Sequence, residues 1–148
     1  DVRCLNKRLV PKGLCLLPMR YQGNRALLYL YRPRCLRRDL TNDLATEGLS
    51  GAAYQGKSCE QCVARLMHRL REGQEFPHEV GLFLSYPPED VKGFIDNRAE
   101  NFKCAGLWKV YGDEKRAREL FARYKRCTDI YCALWRAGSS IEQLAVPV

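Results

Sequence analysis

Residues 76–94, FPHEVGLFLSYPPEDVKGF, decide how the second half of the chain is read. His78 and Glu79 stand directly before a continuous apolar run, Val80 to Leu84, and Tyr86-Pro87-Pro88 follows it. A short apolar run bounded by turn residues suits a strand covered on both faces, so EVGLFLSY is read as a third strand. Pro88 fits the first turn of a helix, with Glu89 and Asp90 favourable to its dipole. A short helix over VKGFIDNRAENF is therefore expected, and CAGLWKVYG reads as a fourth strand. On this reading residues 79–112 form one βαβ unit, with the two strands parallel and the crossover right-handed.

Working outward, residues 13–32 read as a β-hairpin. GLCLLPM and RALLYLY are its strands, and Tyr21-Gln22-Gly23-Asn24 supplies turn chemistry. Pro18 inside the first strand implies an edge position or a bulge. Leu36, Leu40 and Leu44 have helical spacing, closed by Gly48. After a loop over 48–58, Ser58 is a good N-cap for CEQCVARLMHRLREG, which Gly73 ends. Asp113 caps a last long helix with Ala117, Leu120, Phe121, Tyr124, Thr128, Tyr131 and Leu134-Trp135 at three-to-four spacing. A break near Thr128-Asp129 and a stop at Gly138 are expected. The order β-β-α-α-β-α-β-α predicts an α/β (α+β) fold with a small mixed four-stranded sheet. The expected organisation is a single domain over 1–148, with a basic β-hairpin part over 1–40 and an α/β body over 41–148.

The formal net charge is +8 and comes entirely from residues 1–40, which hold ten Lys and Arg against Asp1 and Asp39. A polyanion or nucleic-acid module reads that charge as a surface. The competing reading is solvent-facing side chains flanking strands, their stems covering apolar surface. Tyr29, Tyr31, Phe83, Trp108 and Tyr111 read as core packing rather than base-stacking platforms. No run approaches the roughly 18 apolar residues of a membrane span, and no signal-peptide pattern is visible. Eight cysteines, at 4, 15, 35, 59, 62, 104, 127 and 132, without a secretion signal imply reduced thiols in a cytoplasmic protein.

Two constellations bear on chemistry. Cys59 follows the N-cap Ser58, where a helix dipole lowers a thiol pKa. A Cys59/His78 hydrolase dyad with Glu79 beside it is thus one candidate catalytic set; the alternative is that His78 bonds a loop or sits half-exposed. Cys59-x-x-Cys62 is a candidate redox pair or half of a metal site, which would take iron or zinc, although the sequence requires no cofactor. Against it, Cys62 packs in the core as a small hydrophobe. No phosphate-cradling glycine motif is present, and RAGSSIEQLAV looks like the first part of a helix-turn-helix without its recognition helix.

HEVGLFLSYPPEDVKGF, NFKCAGLWKVYGDEKRARELFARYKRCTDIYC and SIEQL together resemble a family of bacterial proteins of unknown function, found mainly in Firmicutes. Ser85 stands where that family usually has Gly, and Phe102 and Leu107 where Tyr is common. An upstream His-Cys-Ala-Pro segment of the family is not in this chain. The matching motif positions are His78, Glu79, Tyr86, Pro87, Lys103, Cys104, Trp108, Lys109, Tyr111 and Gly112. Of these, Lys103, Cys104, Lys109 and Tyr111 are candidate binding residues. The resemblance implies an accessory protein in redox or iron physiology that binds a metal or a protein partner, such as a flavodoxin or iron-transport protein. In the four-stranded sheet, Glu79 and Lys103 begin adjacent strands and pair, with His78 and Cys104 near one sheet edge; Gly81 and Gly106 permit close packing.

Overall fold

The computed structural model describes residues 2–42, 45, 54–73 and 75–146. Its elements in chain order are α1 (Val2–Leu9), a 3-10 turn (Val10–Lys12), β1 (Cys15–Gln22), β2 (Arg25–Tyr31), α2 (Pro33–Leu40), α3 (Cys59–Glu72), α4 (Val80–Phe83), α5 (Pro88–Asp96), β3 (Cys104–Ala105), β4 (Lys109–Val110), α6 (Glu114–Arg136) and α7 (Ile141–Leu144). The fold is α+β, with two separate two-stranded antiparallel sheets. The helix expected through Leu36, Leu40 and Leu44 ends at Leu40, with Thr41 as its C-cap; Gly48, expected to close it, lies outside the described residues, as does most of the 48–58 loop.

The hairpin forms as the turn chemistry demands. Gly23 takes a left-handed φ of 55° at its tip. The register slips between Pro18 and Arg20, because Pro18 has no N–H for the ladder. The bulge turns Met19 into the core, where it is 2% exposed. Arg71 of α3 donates to the Pro18 and Met19 carbonyls, so the bulge's acceptors are satisfied. On the other side Asn6 of α1 bonds both the N–H and the carbonyl of Leu16, acting as a one-residue strand.

The four-stranded mixed sheet and the βαβ unit over 79–112 do not form. Val80–Phe83 is one turn of helix. A four-residue apolar run has too little period to separate a buried strand from a buried helical turn, and tertiary packing decides. Residues 104–112 fold back on themselves through Gly106–Trp108, pairing Cys104 with Val110 and Ala105 with Lys109. These two strands pair only with each other, and among the described residues no third strand lies beside them. As a helical turn, Gly81, Leu82 and Phe83 are buried beside Leu66, Leu70, Tyr29 and Leu36 while Leu84 faces out. Phe83 therefore packs from a helix, not a strand, and its carbonyl accepts the Tyr29 hydroxyl.

Helix signals read from sequence hold. Ser58 and Gln61 make a reciprocal capping box at α3, and Gly73 follows its end. Pro88 opens α5, Asp113 caps α6, and Gly138 takes a φ of 90° beyond it. The break expected near Thr128-Asp129 is absent: α6 runs unbroken, and Thr128 bonds the Tyr124 carbonyl one turn back. After the turn, Ala145 packs with Leu9, Leu16 and Val2, so the two ends of the described chain meet in one small apolar cluster. Among the described residues no helix is long and apolar enough to cross a membrane.

Candidate functional site

Glycines let α4, α5 and the β3–β4 hairpin approach one another closely. A Cβ on Gly81 would sit 2.7 Å from the Val91 side chain, and one on Gly93 would sit 2.4 Å from the Tyr111 ring. A Cβ on Gly106 would come within 2.3 Å of the Phe121 ring on α6. The close packing expected at Gly81 and Gly106 is thus present, though between helices and a hairpin rather than within a sheet.

Asp90 locks this assembly. It is 3% exposed. Its Oδ1 accepts the Tyr111 and Gly112 N–H groups at 2.7 Å each, and its Oδ2 accepts the Trp108 indole N–H at 2.7 Å. A buried carboxylate with three donors is fully compensated. Trp108 then stacks on Tyr86 with centroids 4.8 Å apart and meets the edge of Phe121 at 4.6 Å.

Between these elements lies a cavity of about 400 Å³ lined by Phe76, His78, Tyr86, Phe94 and Trp108, with Val80, Val91 and residues 105–107 filling in its walls. The His78 ring lies 5.1 Å from Phe94 and 5.9 Å from Phe76. His78 is exposed at the rim. The carboxylate and ammonium of the lining are committed. Asp90 holds its three N–H donors, and Lys109 donates to the Ala99 carbonyl at 2.7 Å with its ammonium over the Phe102 ring. The imidazole of His78 and the hydroxyl of Tyr86 make no hydrogen bond among the described residues, so these two are available to a ligand.

The remaining candidates fall elsewhere. Glu79 turns inward, 6% exposed, and accepts from the Tyr54 hydroxyl at 2.9 Å and from the Arg69 guanidinium. The expected Glu79–Lys103 pair is not made; Lys103 donates to the Gly112 carbonyl at 2.6 Å. The adjacent strands that would have brought them together do not exist. Cys104 packs against Trp108, Val110 and Ala117. The hydroxyl of Tyr111 is shut from water without a partner among the described residues, and burial pushes its pKa up. Cys59 and Cys62 line a different cavity from His78, together with Arg37, Lys57 and Tyr54. Burial, and then the neighbouring Glu60, push the Cys59 thiol up; burial does the same to Cys62. A resting thiol of that kind is protonated, the reverse of an activated nucleophile. All eight cysteines are free. Among the described residues no group of three or more His, Cys, Asp or Glu side chains gathers to hold a metal ion.

The sheet edge expected to hold His78 and Cys104 together does not exist; His78 shares a cavity with residues 105–109 but not with Cys104, and the sequence reading did not single out Phe76 or Phe94. Phe76 lies in coil and Phe94 on α5, so no local periodicity links them.

No curated protein and no solved structure matches the chain. The family described as "Protein of unknown function (DUF3793)" matches residues 2–145, almost the whole length, and the chain belongs to it.

Proposed function

We propose that the chain is a binding protein whose aromatic cavity takes a flat, largely apolar small molecule carrying one polar group. The observation that carries the reading is the cavity's chemistry: aromatic and aliphatic walls, with only His78 and Tyr86 offering uncommitted side-chain hydrogen-bonding atoms. The volume is in the range of small-molecule sites, which pair apolar walls with a few placed polar groups. Imidazole can donate or accept, so a carboxylate, amide or hydroxyl on the ligand is recognised equally well.

The test is a titration of the Trp135→Phe variant, which leaves Trp108 as the reporter, with one- and two-ring aromatic acids and amides. Saturable quenching of Trp108 is expected for members of this set. His78→Ala should weaken that binding by roughly tenfold, about 1.4 kcal/mol, while leaving the melting temperature nearly unchanged because His78 is exposed and unbonded. Absence of saturable binding by any probe overturns the reading.

A redox or iron-linked role rests on the cysteines instead. It is supported only by Cys59 and Cys62 lining one cavity. Stoichiometric metal in anaerobically prepared protein, lost on Cys59→Ser or Cys62→Ser, is its expected signature.

A further inference from the structure

Beyond the cavity, α6 carries a second surface. Ala117, Leu120, Tyr124, Cys127, Tyr131 and Leu134 alternate at spacings of three and four, the period of a helix–helix seam. The first part of that seam is filled by the chain itself: Ala117 is buried, and Leu120 and Phe121 pack on Trp108 and Val110. Trp108 reaches as far as Tyr124, with ring centroids 6.4 Å apart. From Ala122 to Gly138 every residue is exposed. The seam thus continues, uncovered, beyond an interface the fold already uses. Trp135 beside it is 57% exposed and Ile130 53%.

The rim of this face is cationic. By helical spacing Arg123 and Arg126 border Cys127 and Ile130. Neither has an ion-pair partner among the described residues, whereas Arg118 and Lys125 are paired with Glu114 and Asp129. A second copy would bring the same arginines against these. Tyr, Thr and Cys interrupt the face, where a lipid-seated helix carries Trp, Phe and Leu. Tyr, Trp and Arg are instead the residues that anchor protein interfaces.

We propose that residues 124–135 of α6 dock an acidic amphipathic helix of a partner protein. Tyr131 and Trp135 anchor its apolar stripe, and Arg123 and Arg126 pair with its carboxylates. The exposed seam spans about three turns, so the complex is a weak, exchangeable one.

The test uses fluorescein-labelled peptides of three heptads with Leu at the seam positions and Glu at the flanks, and a counterpart with Lys at the flanks. Anisotropy is read against the full chain in reducing buffer, because Cys127 and Cys132 are exposed. The Glu peptide is expected to bind, less tightly as salt rises, and the Lys peptide to fail. Trp135→Ala or Tyr131→Ala should weaken binding by roughly tenfold, and the Arg123→Glu, Arg126→Glu double variant should reverse the preference. These side chains are exposed, so an unchanged melting temperature separates lost binding from lost folding. Equal binding of both peptides, or of neither, overturns the proposal. So does a wild-type dimer that Trp135→Ala dissolves, which assigns the face to a second copy. Binding to phosphatidylserine vesicles without binding of the Glu peptide overturns it in favour of a lipid surface.

Discussion

Asp90 ties several elements together through one side chain. It gathers two backbone N–H groups and an indole at 2.7 Å each, joining α5 to the hairpin that walls the cavity. Asp90→Ala strands all three donors, and urea denaturation should show a loss of about 3 kcal/mol or more, since hydrogen bonds to a charged group contribute about 1.5–3 kcal/mol each and not additively. Ser85 is the opposite case. It holds a left-handed φ of 58° and donates to Asp39 at 2.7 Å on the surface. Glycine, which the family resemblance expects there, adopts that backbone without the Cβ penalty of roughly 1–2 kcal/mol. Ser85→Gly should raise stability by about 0.5–1 kcal/mol once the extra freedom of the unfolded chain is counted, visible as a higher urea midpoint. Cysteine reactivity follows burial: Cys127 and Cys132 should react with a disulfide reagent well before Cys59, whose thiol is pushed up by burial. Faster labelling of Cys59 would revive it as a nucleophile.

At the scale of elements, contacts made without side chains set the architecture. Gly106 lets α6 lie against the β3–β4 hairpin, and Gly106→Ala would drive a methyl to 2.3 Å from the Phe121 ring. Overpacking of that kind costs about 1–3 kcal/mol, and near-ultraviolet dichroism of Trp108 should report the displaced ring. Caps, turn glycines and the Pro18 bulge were readable from sequence because each depends on a few adjacent residues. The Ser58 capping box is local chemistry, and so is the left-handed Gly23. Val80–Leu84 was not readable in this way. Its conformation is set by distant packing: Leu82 and Phe83 are buried against the hairpin, α2 and α3, while residues 104–112 pair among themselves. Losing that strand changed the site as well. Glu79 and Lys103 parted company, while Phe76 and Phe94, one on each side of the Tyr-Pro-Pro turn, came together around His78.

At the scale of the whole molecule, the larger apolar cluster joins the hairpin, α2, α3, α4 and α5, with Tyr29 and Tyr54 among its buried members. Burial raises both phenols above their ordinary value, reinforced at Tyr29 by Tyr31 and at Tyr54 by Glu79. The unfolded chain ionises these groups near pH 10, while the folded one keeps them neutral to higher pH. Their contribution is therefore complete below about pH 10 and is lost as pH rises through the folded-state values. Denaturant midpoints should hold steady up to that pH and then fall, with tyrosinate absorbance lagging behind that of the unfolded chain. Coincident titration in the two states would contradict the burial of both rings.

The meeting of α1 and α7 has a topological consequence. Val2 and Ala145 share one cluster, Lys12 donates to the Glu142 carbonyl, Arg8 pairs with Glu142, and Arg32 reaches the Val146 carbonyl. The described residues therefore close almost into a ring, clasped where the stretch around residues 2–12 meets the stretch 142–146. Such a ring can be cut elsewhere: a permutant joining residue 146 to residue 2 through a short glycine linker, with new termini at the exposed Gly23–Asn24 tip, should fold to the same structure. Domains fused before and after this stretch of chain would likewise emerge side by side from one pole, next to the Trp135 end of α6.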